Sequence, residues 1–82
     1  MSLNINLING IFPPKDTIDL ITQLINTKIS YHERKISSTN NEEDIKFREQ
    51  KIIQLQNSLK ELRTLNENKE TNFELDCVIK IK

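Results

Sequence analysis

The chain has 82 residues, with 12 basic and 12 acidic side chains and no net charge. A chain this short holds one domain and buries roughly 60% of the surface its unfolded form exposes. No third of it departs from neutrality by more than one charge, which argues against the basic footprint of a nucleic-acid binder and the block charge of a membrane-surface helix. No apolar run approaches the roughly 18 residues of a membrane span, and the start lacks the pattern of a signal peptide, so the sequence reads as a cytoplasmic protein.

The first pattern is "LNINLIN", in which Leu3, Ile5 and Leu7 alternate with Asn4 and Asn6. It predicts a half-buried strand over about residues 3–9. Asn9-Gly10 is a hairpin signal, but a hairpin there leaves Ile11 and Phe12 as the whole second arm before Pro13 and Pro14. Proline cannot serve a central ladder and restricts the residue before it. The preferred reading is strand, bend at Gly10, then helix. In it Pro14 stands at the first helical position, where its missing N–H is harmless, and Asp16 and Asp19 lie near the positive end of the helix dipole. The hairpin is the alternative.

A helix is predicted over about residues 14–36. Ile18, Ile21, Ile25, Ile29, His32 and Ile36 form one stripe at helical spacing, and Leu20, Leu24 and Tyr31 flank it. The segment "SSTNNEED" interrupts the pattern, with Asn40 and Glu43 in the positions of a capping box. A second helix follows over about residues 42–67. Its narrower stripe of Ile45, Ile52, Leu55, Leu59 and Leu62 suits a helix–helix seam, and Asn66 or Asn68 can serve as its stop. The chain closes with a strand over about residues 73–81, where Phe73, Leu75, Cys77, Ile79 and Ile81 share one face.

The expected fold is therefore α+β: a single β-α-α-β domain with a helical hairpin packed on one face of a small antiparallel sheet. Two strands alone are marginal, so the sheet is expected to extend to four strands in a homodimer. Strand edges are commonly guarded by charge. The last strand carries Glu74, Asp76, Lys80 and Lys82 outward, whereas the first carries no charge. The expected dimer interface is accordingly Asn4, Ile5, Asn6 and Leu7, with Leu20, Leu24 and Tyr31 available between the helices.

Residues able to carry chemistry are few. His32 is the single histidine, but it lies within the isoleucine stripe, and Glu33 points about 100° away from it on a helix. Cys77 cannot form an internal disulfide and sits where a thiol acts as a small hydrophobe. Asp16, Asp19, Glu42, Glu43 and Asp44 all open helices, where the dipole accounts for them. No catalytic, cofactor or metal residue is assigned, and no small-molecule substrate is inferred. The sequence reads as a non-catalytic interaction domain that self-associates or docks on a larger protein. The second reading is a dimeric regulator associated with nucleic acid, which would bring two basic ends at Lys80 and Lys82 together.

Overall fold

A computed structural model describes residues 2–67 and 71–82. In chain order it forms β1 (Leu3–Phe12), α1 (Pro14–Ser37), α2 (Glu42–Glu67) and β2 (Phe73–Ile81). The two strands pair antiparallel in one sheet, an α+β fold. Asn66 falls inside α2, and Asn68 lies outside the described residues.

β1 runs three residues beyond the expected 3–9, because β2 offers a ladder where local turn chemistry offers one bend. Asn9, Gly10, Ile11 and Phe12 pair with Asp76, Leu75, Glu74 and Phe73, so no hairpin forms at Asn9-Gly10. Gly10 keeps the strand extended at φ 144°, a backbone region that side-chain-bearing residues rarely adopt. The Phe12 ring lies over it, 3.7 Å from where a Cβ would stand.

The irregularity falls at Leu7, between the pairs Asn6–Val78 and Ile8–Cys77. A bulge inserts one unpaired residue and shifts the phase of the strand. Leu3 and Ile5 stand opposite Ile81 and Ile79, and beyond the bulge Ile8 and Phe12 stand opposite Cys77 and Phe73. All of these residues thus share one face. Without the extra residue Leu7, Asn9 and Ile11 would take the places of Ile8, Gly10 and Phe12.

The turn from β1 into α1 is pinned by Thr17, one of two buried polar residues among those described. Its hydroxyl donates to the Pro13 carbonyl at 3.0 Å, with the Phe12 carbonyl at 3.5 Å, and its amide donates to Pro13 at 2.9 Å. Pro14 opens the helix as expected, and Asp16 lies in the first turn. At the far end Arg34 and Lys35 lie in the last turn, where the dipole favours positive charge. The cap of α2 stands one residue later than Asn40. Asn41 Oδ1 accepts from the amides of Glu43 and Asp44 at 3.0 and 3.2 Å, because the Asn41 backbone carbonyl is the one that accepts the first helical bond, from Ile45.

α1 packs on α2 and touches β2, so it is α1 that joins the hairpin to the sheet. The stripe from Ile18 to Ile36 and the stripe from Ile45 to Leu62 are the half-buried faces of the two helices. The body measures 47 × 37 × 14 Å. In so thin a body water reaches most side chains from one side or the other. Among the described residues no hydrophobic side chain is fully buried, and Leu3, Ile5, Leu7, Ile79 and Ile81 at the open end of the sheet are all exposed.

Gly10→Ala tests the strand reading. The added methyl meets only ordinary contact at 3.7 Å, so the penalty is backbone strain, expected at about 1–3 kcal/mol. An unchanged urea midpoint would contradict the strained conformation at Gly10.

Candidate functional site

Two regions gather the residues of interest, one between β1 and α1 and one within the helical hairpin. The first is a cleft of about 280 Å³ lined by Leu7, Ile8, Leu20, Gln23, Leu24 and Thr27. The bulge turns Leu7 and Ile8 to the same side, and Leu20 and Leu24 meet them because residues four apart share one helix face. Of the expected interface residues, Leu7, Leu20 and Leu24 are thus brought together. Ile5 continues the same sheet face opposite Ile79, while Asn4 and Asn6 pair with Lys80 and Val78 on the other face.

Tyr31 is not part of that cleft. It lies two turns farther along α1, about 10 Å by helical rise, and belongs to the second region. Its ring meets the His32 ring edge-on at 5.5 Å between centroids, and the charges of Arg48 and Lys35 lie 5.6 and 5.8 Å from its centre. Both are within reach of a cation–π attraction.

His32, within the isoleucine stripe of α1, is only 5% exposed. Arg48 of α2 reaches across and places Nη1 3.1 Å from His32 Nδ1. A guanidinium only donates, so Nδ1 accepts and the neutral ring carries its proton on Nε2. Arg48 is held in turn by Asp44, whose Oδ2 stands 3.2 Å from Nε one helical turn earlier. The chain Asp44–Arg48–His32 therefore ties α2 to α1. His32 Nε2 is buried and has no hydrogen-bond partner among the described residues.

Burial in the first place, and then the charges of Arg48, Lys28 and Lys51, hold the His32 pKa below the ordinary 6.5, while Asp44 opposes them. The ring is neutral at pH 7. A protonated Nδ1 would face the Arg48 donor with no lone pair to offer.

The helical stripe of α1 includes His32, yet its tie to Arg48 spans 16 positions and leaves no periodic trace. Arg48 itself occupies the seam position between Ile45 and Ile52. A polar residue interrupting an apolar heptad was the available signal.

Cys77 is a half-buried free thiol opposite Ile8. Asp16, Asp19, Glu42 and Glu43 stand at or near helix starts. Among the described residues no three of His, Cys, Asp and Glu form a group able to hold a metal ion, and no helix is long and apolar enough to cross a membrane. Comparison with family models, with curated proteins and with solved structures finds no match.

The His32 geometry sets a pH dependence with a defined sign. A histidine whose folded pKa lies below its unfolded 6.5 binds fewer protons folded than unfolded in that window. Its stabilising contribution is present above 6.5 and is lost as pH falls through the folded value. The urea midpoint is expected to decrease between about pH 7 and pH 5.5, and His32→Gln to flatten the profile there. A wild-type midpoint that holds steady over this range would contradict the buried neutral ring.

Proposed function

We propose that this chain is a small non-catalytic protein–protein interaction domain whose partner is a second copy of itself. The observation that carries the reading is its surface. A compact monomer of 9.6 kDa exposes about 5,100 Å², whereas this chain exposes 6687 Å². The excess of about 1,600 Å² per chain corresponds to about 3,200 Å² in a dimer, within the roughly 2,000–5,000 Å² of obligate homodimers.

Part of the exposed apolar surface is gathered at one end of the sheet and the adjoining cleft. Leu3, Ile5, Leu7, Leu24, Ile79 and Ile81 are exposed at 54, 38, 45, 39, 42 and 48%, and the first four border or continue the β1–α1 cleft. β1 also has an outer edge without a charged residue. A two-fold axis beside Leu3–Asn6 would pair two such edges into a four-stranded antiparallel sheet, set Asn4 and Asn6 near their symmetry mates, and cover the apolar end of the sheet. The bulge at Leu7 limits the flat edge to the residues before it, so pairing there is short and the side chains of the face supply most of the burial. Docking on a larger protein would use the same surface.

Sedimentation equilibrium at tens of micromolar should report a particle of twice the 9.6 kDa chain mass. Changing Asn4 and Asn6 together to Lys places like charges across the axis and should weaken association by about tenfold or more, with little effect on the fold of a single chain. A wild-type monomer at these concentrations, or a double variant of unaltered affinity, would overturn pairing through the first strand.

A further inference from the structure

Within the helical hairpin lies a cleft of about 470 Å³, lined by Lys28, His32, Phe47, Lys51, Gln54 and Ser58, with Leu55 in its apolar wall. Its volume falls within the roughly 300–1,000 Å³ of small-molecule sites. The two helices supply it in register. Lys28 and His32 stand four apart on α1, and Phe47, Lys51, Leu55 and Ser58 follow one face of α2 at spacings of three and four.

The chemistry of the lining is one-sided. The chain as a whole is neutral, yet among the described residues the charged ones at this cleft are lysines and no carboxylate lines it. The acid that acts on His32, Asp44, is engaged by Arg48 at 3.2 Å. The imidazole adds a donor. His32 is part of the lining, its Nδ1 is turned to Arg48, which does not line the cleft, and its proton is carried on Nε2. That donor is buried and unpartnered among the described residues. An unpaired buried donor is unfavourable to leave unmade. Gln54 and Ser58 add neutral hydrogen-bonding groups, and the Phe47 ring, 55% exposed with Lys51 Nζ 5.2 Å from its centre, adds an apolar surface beside a charge.

We propose that this cleft binds a small organic oxyanion, a carboxylate or phosphate carried on an apolar or aromatic body. Lys28 and Lys51 hold the charge, His32 Nε2–H donates to it once the long lining side chains give way, and the body lies against Phe47 and Leu55. Ammonium groups and a neutral imidazole donor stabilise an anion through charge-assisted hydrogen bonds, and they offer no comparable site for a cation. The site is distinct from the proposed association surface, since none of its lining residues belongs to that surface.

The test is a titration of the isotope-labelled full chain with benzoate and with phenyl phosphate, against sodium chloride at matched ionic strength. Either probe should shift the His32 Nε2–H resonance and the Gln54 and Ser58 signals. The stronger of the two identifies the carboxylate or the phosphate as the natural group. Lys28→Gln and Lys51→Gln, both at exposed positions, should each weaken binding by about tenfold, the loss of one charged hydrogen-bonding contact. The proposal is overturned if neither probe moves His32 at tens of millimolar, if the lysine variants bind unchanged, or if polyglutamate binds while both small anions fail. Inorganic phosphate binding as tightly as phenyl phosphate would also overturn it, by removing the apolar body from the site.

Discussion

The ladder between Leu3–Phe12 and Phe73–Ile81 joins the two ends of the chain, and the helical hairpin has a defined base only because that ladder holds. Closing a loop of this length is entropically unfavourable, though the penalty grows slowly with length. The helices lower it by bringing the ends back to one side, since a hairpin with a short tip returns the chain near its start. Thr17 then holds the corner where α1 leaves the sheet, and α1 touches β2 as well as α2. Sheet, corner and seam are therefore linked in series, and a fault at the corner would separate the two halves of the molecule.

Such a serial arrangement has a consequence for burial. In a layered domain each helix covers part of the sheet and is covered in turn. Here α2 finds its partner in α1, so the sheet end bearing Leu3, Ile5, Ile79 and Ile81 stays uncovered, and no hydrophobic side chain among the described residues reaches full burial. The stability available from area alone is correspondingly thin for a domain of this size. This is the physical basis for reading the exposed apolar end as an association surface, and it explains why the polar ties carry unusual weight. The Asp44–Arg48–His32 chain is an ion pair and a hydrogen bond at the seam, where a larger core would place aliphatic contacts.

A charged residue in a helical seam, half-buried as Arg48 is, is often less stabilising than a hydrophobic one of similar size, but it discriminates against slipped packings. Arg48 meets His32 in one register of α1 against α2. A shift by one helical turn would leave the guanidinium against isoleucine and the imidazole without an acceptor role. Neutrality of the ring is part of this arrangement, since its lone pair at Nδ1 is what Arg48 engages.

The amino-acid sequence alone determined the element order, the bounds of both helices to within a residue or so, and the last strand, because these depend on periodicities of 3.6 and 2 that each segment carries within itself. The helix stripes from Ile18 to Ile36 and from Ile45 to Leu62 are legible for that reason, as is the role of Pro14. What the tertiary structure decided depends on residues far apart in the chain. β1 passes through Asn9-Gly10 because β2 lies alongside. The bulge at Leu7 sets Ile8, Gly10 and Phe12 on the face of Leu3 and Ile5 in place of Leu7, Asn9 and Ile11, a choice made only where β1 meets β2. His32 is buried because Arg48, 16 positions on, folds back onto it. Local patterns specify which face of an element is apolar, but only the packed chain decides what each face meets and how much of it remains open to water.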